Sequence, residues 1–192
     1  MSIRKIGVIG RSWREGEHLP EHVLETARAV GRGVAEAGAV LVTGGTGGVM
    51  EAACRGAFEA GGLTVGFLPY ADESKANPYV SLVFPTGMGT IRNILTARCC
   101  DALVMVGGGV GTLNEVTIAY DSGVPTIVVE GSTGWADRLR DVVDDGKWLD
   151  DRRVLPLTFV PDAASAVRAA LERAAEPRAG SRLGGFVGWA GQ

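Results

Sequence analysis

Short, unbroken apolar runs alternate with segments of helical period along the chain. This alternation restricts the fold more than any single motif does. Ile3–Gly10, Ala39–Gly45, Leu63–Pro69, Ser81–Phe84, Asp101–Val106, Val124–Glu130 and Leu155–Val160 read as strands. Between them, apolar residues recur at helical spacing, as at Val23, Ala27, Val30, Val34 and Ala37 within residues 20–37. The other predicted helices cover Gly48–Gly62, Thr86–Cys100, Gly111–Gly123 and Trp135–Val143, with a last one starting at Pro161. Strands apolar throughout are buried on both faces. The fold class is therefore α/β, a parallel sheet covered by helices on both faces, with the most apolar run, DALVMV, as a central strand. A chain of 192 residues suits one domain. That domain is expected over residues 1–175. Residues 176–192, EPRAGSRLGGFVGWAGQ, are a Gly-rich aperiodic tail expected to be disordered or to pack on a partner subunit.

In such sheets ligands bind beyond the carboxyl ends of the strands. Two Gly-rich turns stand there, TGGTGG at Thr43–Gly48 and GGGVGT at Gly107–Thr112. Each leads into a helix, whose first N–H groups lack intrahelical acceptors and carry partial positive charge. Glycines before such a helix let a phosphate approach the backbone. Neither turn is a Walker loop, because no GxxxxGK[ST] occurs, and neither completes a GxGxxG fingerprint. The pair points to a small phosphorylated ligand bound by Gly44, Gly45, Thr46 and Gly47 on one side. On the other side stand Gly108, Gly109, Val110, Gly111 and Thr112.

Helical spacing sets Ile91, Ile94 and Leu95 in one stripe and turns Arg92, Asn93 and Thr96 away from it. It likewise sets Leu113, Val116 and Tyr120 together and turns Glu115 outward. By spacing alone, Arg92 is a solvated arginine and Glu115 a carboxylate complementing a helix dipole.

The 22 acidic and 19 basic residues give a net charge of −3, with no Lys/Arg run, so nucleic-acid partners are expected to be absent. No apolar stretch approaches the ~20 residues of a membrane span. Cys54, Cys99 and Cys100 form no CxxC or Cys/His pattern, which argues for a reducing, cytoplasmic setting and against structural zinc. His18 and His22 lack the intervening Glu of a zinc helix, and no metal site is expected.

GGGVGTLNE resembles the PGGxGTxxE motif of the LONELY GUY (LOG) family, whose members were once described as lysine decarboxylases. IRN…ARCCDALVMV is similar to the segment preceding that motif, and GGTGGVMEAACRGAFEAGG to the family's GGGxxGLMGxxAxGA segment. IGVIGRSW stands in the place of its first strand and Gly-Ser turn, which adds Gly10 and Ser12 to the ligand-binding set. The resemblance runs from about Ile3 to Val129 and implies a Rossmann-like fold and a homodimer or higher homo-oligomer. It also implies release of a free base from a nucleoside 5′-monophosphate, with Arg92 and Glu115 catalytic. The family's Lys after the Arg is Asn93 here, and its Pro opening the motif is Gly107. These departures resemble a sister branch that includes molybdenum cofactor carrier proteins. Two readings therefore stand open: a phosphoribohydrolase, and a non-catalytic carrier of a nucleotide or molybdenum cofactor. Neither requires a resident cofactor; nucleotide, phosphate or molybdenum cofactor is the expected bound molecule. A DNA-processing relative with the same sheet is the third reading, disfavoured by the acidic balance. Nothing supplies the lysine environment of a pyridoxal phosphate decarboxylase.

Overall fold

A computed structural model describes residues 3–13, 16 and 18–177. The strands are β1 (Lys5–Gly10), β2 (Val40–Thr43), β3 (Thr64–Leu68), β4 (Leu82–Pro85), β5 (Ala102–Val106), β6 (Thr126–Val129) and β7 (Thr158–Val160). The helices are α1 (Glu21–Glu36), α2 (Val49–Glu59), α3 (Asn93–Arg98), α4 (Val110–Asp121), α5 (Trp135–Val142) and α6 (Ala163–Arg173). All pairings are parallel, and the strands lie in the order β4-β3-β2-β1-β5-β6-β7. The Rossmann-like α/β fold is thus as the residue pattern implies. Of the tail expected over 176–192, residues 178–192 lie outside the described residues.

The central strand shows why the apolar runs are unbroken. Ala102, Val104 and Val106 of β5 enter a core with α1, α2 and α6; Leu103 and Met105 enter the opposite core with α3, α4 and α5. Both faces are buried, so no position of β5 is free to be polar. The edge strand β4 differs: Leu82 and Phe84 are about half exposed, and Pro85, which lacks a donor, closes it.

Three sequence expectations change. The helix predicted over Thr86–Cys100 is a 3₁₀ turn at Gly89–Arg92 followed by the six-residue α3. The last helix starts at Ala163 rather than Pro161, because Asp162 is its N-cap: the carboxylate accepts from Ser165 N at 2.8 Å. The third concerns faces. Ile91 is 62% exposed and Ile94 41%, whereas Arg92, Asn93 and Thr96 are buried, as is Glu115. The polar faces of α3 and α4 turn toward each other, and the apolar stripe of the first looks outward.

Gly31 of α1 and Gly56 of α2 allow backbone contact between these helices. A Cβ on Gly31 would overlap the Ala53 carbonyl oxygen, and one on Gly56 the Arg28 carbonyl oxygen. In an open helix Gly→Ala stabilises by up to about 1 kcal/mol. Here Gly31→Ala is expected to destabilise by about 1–3 kcal/mol through overpacking. Urea unfolding checks this; a variant as stable as the wild type would show the helices have room to part.

Candidate functional site

The strand order reverses between β1 and β5, and the loops leaving these strands flank the crevice where open α/β sheets bind ligands. A pocket of about 300 Å³ opens there. Its walls include Gly10, Arg11, Ser12 and Trp13 after β1, Thr46 and Met50 after β2, and Pro69 and Tyr70 after β3. Arg92 and Asn93 enter from the 3₁₀ turn and α3, and Gly109, Val110, Gly111, Thr112 and Glu115 from α4. A larger open groove of about 840 Å³ lies between α1 and α6, and none of the loop residues line it.

The floor of the crevice is an ion pair. Arg92 Nη1 donates to Glu115 Oε1 and to Thr96 Oγ1, each at 3.2 Å. The arginine is 9% exposed and the glutamate 6%. Burial pushes the Glu115 carboxyl up to about 7; the neighbouring Arg92 charge and hydrogen bond oppose part of that rise. Arg92 Nε is buried with no hydrogen-bond partner among the described residues. A guanidinium that has given up water for an incomplete set of acceptors carries an unmet desolvation cost.

The two glycine turns do different things. At the start of α4, Gly109, Val110, Gly111 and Thr112 line the pocket, with Gly109 as N-cap, so the unpaired N–H groups of this helix open into it. Gly107 and Gly108 stand outside the lining. Gly107 N donates to Ser132 Oγ at 2.8 Å, and Gly108 O accepts from Trp135 N at 3.0 Å, tying the turn to the loop after β6. Gly107 has φ +65°, a conformation proline's ring forbids. The departure from the LOG motif's Pro is thus built into the turn.

The turn after β2 contributes Thr46 alone. Ser12 Oγ and Thr46 Oγ1 lie 3.3 Å apart. Gly44 is the seat of the arginine: a Cβ there would stand 2.7 Å from Arg92 Cζ. Gly45, at φ +73°, has its carbonyl taken by Asn77 N and Nδ2 at 2.9 and 3.1 Å. Gly47 lies under Trp13, whose Nε1 would be 3.0 Å from a Cβ there. Val49 N donates to Arg11 O at 3.0 Å, which takes the first N–H group of α2. Gly44→Ala is accordingly expected to keep the fold, since the atoms it meets end a flexible side chain, and to displace the guanidinium. Ligand affinity should fall at least tenfold with Tm changed by only a few degrees; a variant that binds as the wild type does would show that Arg92 needs no such seat.

Asn93, where the LOG pattern has Lys, donates through Nδ2 to Asn114 Oδ1 at 2.9 Å and is 6% exposed. It fastens α3 to the start of α4. Arg11, Trp13, Pro69 and Tyr70 were missed from the sequence, although all follow carboxyl ends of strands, the place the sheet rule marks for ligands.

Sheet, switch-point pocket and helix N-terminus together define a Rossmann-like nucleotide- or cofactor-binding protein. The chain belongs to the SLOG cluster4 family, whose model matches residues 3–154. A protein of Archaeoglobus fulgidus is 41% identical over 137 residues, spanning 68% of this chain and 87% of its own. The X-ray structure of TM1055 superposes with a TM-score of 0.83 at 35% identity, covering 88% of this chain and 99% of that one. The molybdenum cofactor carrier protein of Chlamydomonas reinhardtii does so at 0.75 and 30%, covering 91% and 100%. The resemblance to the LOG-like superfamily and its carrier branch therefore holds.

The exclusion of nucleic-acid partners is corrected. DNA processing protein A of Helicobacter pylori, whose structure concerns a single-stranded DNA binding mode, superposes at TM-score 0.64 and 14% identity, covering 88% of this chain and 80% of that one. Such identity shows the fold alone. It nevertheless removes the exclusion, because single strands are held by local donors and stacking surfaces that a whole-chain charge does not report. No helix among the described residues is long and apolar enough to cross a membrane.

Proposed function

We propose that the pocket binds a nucleoside 5′-monophosphate and that Glu115 and Arg92 direct cleavage of its ribose–base bond by water. The products would be free base and ribose 5-phosphate. The observation that carries this reading is the buried pair of Glu115 and Arg92, 3.2 Å apart in the lining of the switch-point pocket, where burial pushes the carboxyl up to about 7. As the C1′–N bond lengthens, its electron pair leaves with the base and the ribose ring becomes cationic, as in glycoside cleavage. An ionised Glu115 stabilises that cation and takes a proton from the attacking water, whose oxygen bonds to C1′. The departing nitrogen takes up a proton. The Arg92 guanidinium donates to the base or to phosphate. Phosphate is assigned to the N–H groups of Gly109–Thr112 and the Thr112 hydroxyl, with Ser12 and Thr46 adding hydroxyl donors. Three free cysteines fit a cytoplasmic setting.

A second reading, carriage of molybdenum cofactor as cargo, is favoured by the 30% identity to the Chlamydomonas carrier across that protein's whole length. The pocket suits such a cargo in part: helix N–H donors fit its phosphate, and the Arg92 guanidinium fits a heterocycle. Incubation with AMP and with a cytokinin ribotide, followed by assay of ribose 5-phosphate, separates the two. Release above the level of a Glu115→Gln variant supports the hydrolase; its absence, with molybdopterin retained through purification, supports the carrier.

A further inference from the structure

Trp13 is 44% exposed at the mouth of the pocket, whereas Arg92 and Glu115 form the floor. Its indole lies against Gly47, where a Cβ would overlap Cδ1. Gly47 has no positive φ, so the ring, and not the turn, requires a bare position there. Pro69 and the half-exposed Tyr70 complete an apolar rim.

Topology gives this rim a direction. Trp13 rests on the β2 side of the β1 end, because Gly47 follows β2. The donors of α4 lie on the β5 side. Two strand spacings separate β2 from β5, about 10 Å. At the α2 N-terminus Val49 N is taken by Arg11 O, whereas four residues at the start of α4 line the pocket, so α4 is the better placed of the two helices to hold an anion. A ligand with its phosphate on α4 therefore carries its other end across the ion pair toward the indole.

We infer that Trp13 is a stacking platform for a planar aromatic base, which makes the site selective for nucleotides over sugar phosphates. The inference rests on the nucleotide reading above and adds the residue that recognises the base. An indole offers a face to any heterocycle, so the platform selects the class of ligand and leaves choice among bases to polar groups. The Arg92 guanidinium, which lines the same pocket, is one such group.

The test is calorimetric titration with two ligands. One is a C-nucleoside analogue of AMP, whose carbon–carbon ribose–base bond resists hydrolysis; the other is ribose 5-phosphate. Trp13→Ala is expected to weaken the analogue about 5- to 150-fold, the range for alanine at base-stacking aromatics. Ribose 5-phosphate should change less than about twofold, and Trp13→Phe should restore most of the analogue's affinity, since a phenyl ring also stacks. Equal weakening of both ligands, or no weakening of the analogue, overturns the platform. If wild-type protein binds ribose 5-phosphate but Trp13→Ala leaves the analogue untouched, the platform alone fails and the phosphate site stands. Wild-type protein that binds neither ligand overturns the nucleotide reading and this inference together.

Discussion

Glu115→Gln is expected to lower release of base from a bound nucleotide by about 10²- to 10⁴-fold, the contribution of a positioned acid–base group. The amide keeps the size of the carboxyl and an acceptor for Arg92 Nη1, so the pocket stays formed. What is lost is the negative charge facing the ribose cation and the ability to take a proton from water. The wild-type rate should rise with pH through about 7, where the buried carboxyl ionises. Stability should run the other way. The folded carboxyl is raised to about 7 from an ordinary value near 4.5. Between those values the unfolded chain has released the proton and the folded chain still holds it. The contribution is therefore complete below about pH 4.5 and lost as pH rises through about 7, a change of about 3 kcal/mol. Relative to Glu115→Gln, wild-type protein should thus lose stability across this window and gain activity near its upper end. Denaturant titrations at several pH values, beside a pH–rate profile, measure both slopes. A wild-type rate flat from pH 5 to 9 would remove Glu115 from the chemistry.

Sheet and site differ in how far the sequence reveals them. DALVMV reads as a buried central strand because every residue from Ala102 to Val106 faces one of two cores, and β5 is that strand. The GGGVGT turn reads as a helix N-terminus open to ligand for an equally local reason, the absence of acceptors for its first N–H groups. The site breaks the rule that makes helices legible. Helical spacing assigns the apolar stripe inward, yet Ile91 and Ile94 are exposed while Arg92, Asn93, Thr96 and Glu115 are buried. A pocket that desolvates charge must place polar faces inward, so the amphipathic pattern inverts where charge is buried. The turn after β2 fails differently. Gly44 and Gly47 look like phosphate-binding glycines, but each is bare because a distant side chain, Arg92 or Trp13, occupies its Cβ space. Spacing along the chain carries no trace of contacts made across it. The LOG resemblance singles out Arg92 and Glu115, two residues 23 apart in sequence that the fold brings to 3.2 Å.

Removing the other half of the ion pair should give the opposite pH trend. Arg92→Met replaces a buried guanidinium, one of whose nitrogens lacks a partner among the described residues, with an apolar chain of similar length. Near pH 5.5 Glu115 is already protonated in the folded protein, so no charge is stranded. At that pH the variant is expected to be as stable as the wild type or more so, because it sheds the desolvation cost of the guanidinium and leaves a neutral carboxyl behind. Above pH 7 the carboxylate loses the cation that limits its rise, and its pKa climbs further. The folded variant then keeps its proton where wild-type protein releases it. Each further pH unit should cost the variant about 1.4 kcal/mol relative to wild type until its own pKa is reached. At pH 9 the gap approaches about 3 kcal/mol. Base release should fall by at least 10²-fold throughout, because the guanidinium donors and the cation shaping Glu115 leave together. Thermal melts of Arg92→Met and Glu115→Gln against wild-type protein between pH 5.5 and 9 give the two trends directly. Parallel curves would mean that Glu115 stays ionised in the fold at every pH, and that the ion pair is a structural tie between α3 and α4 rather than the centre of a site.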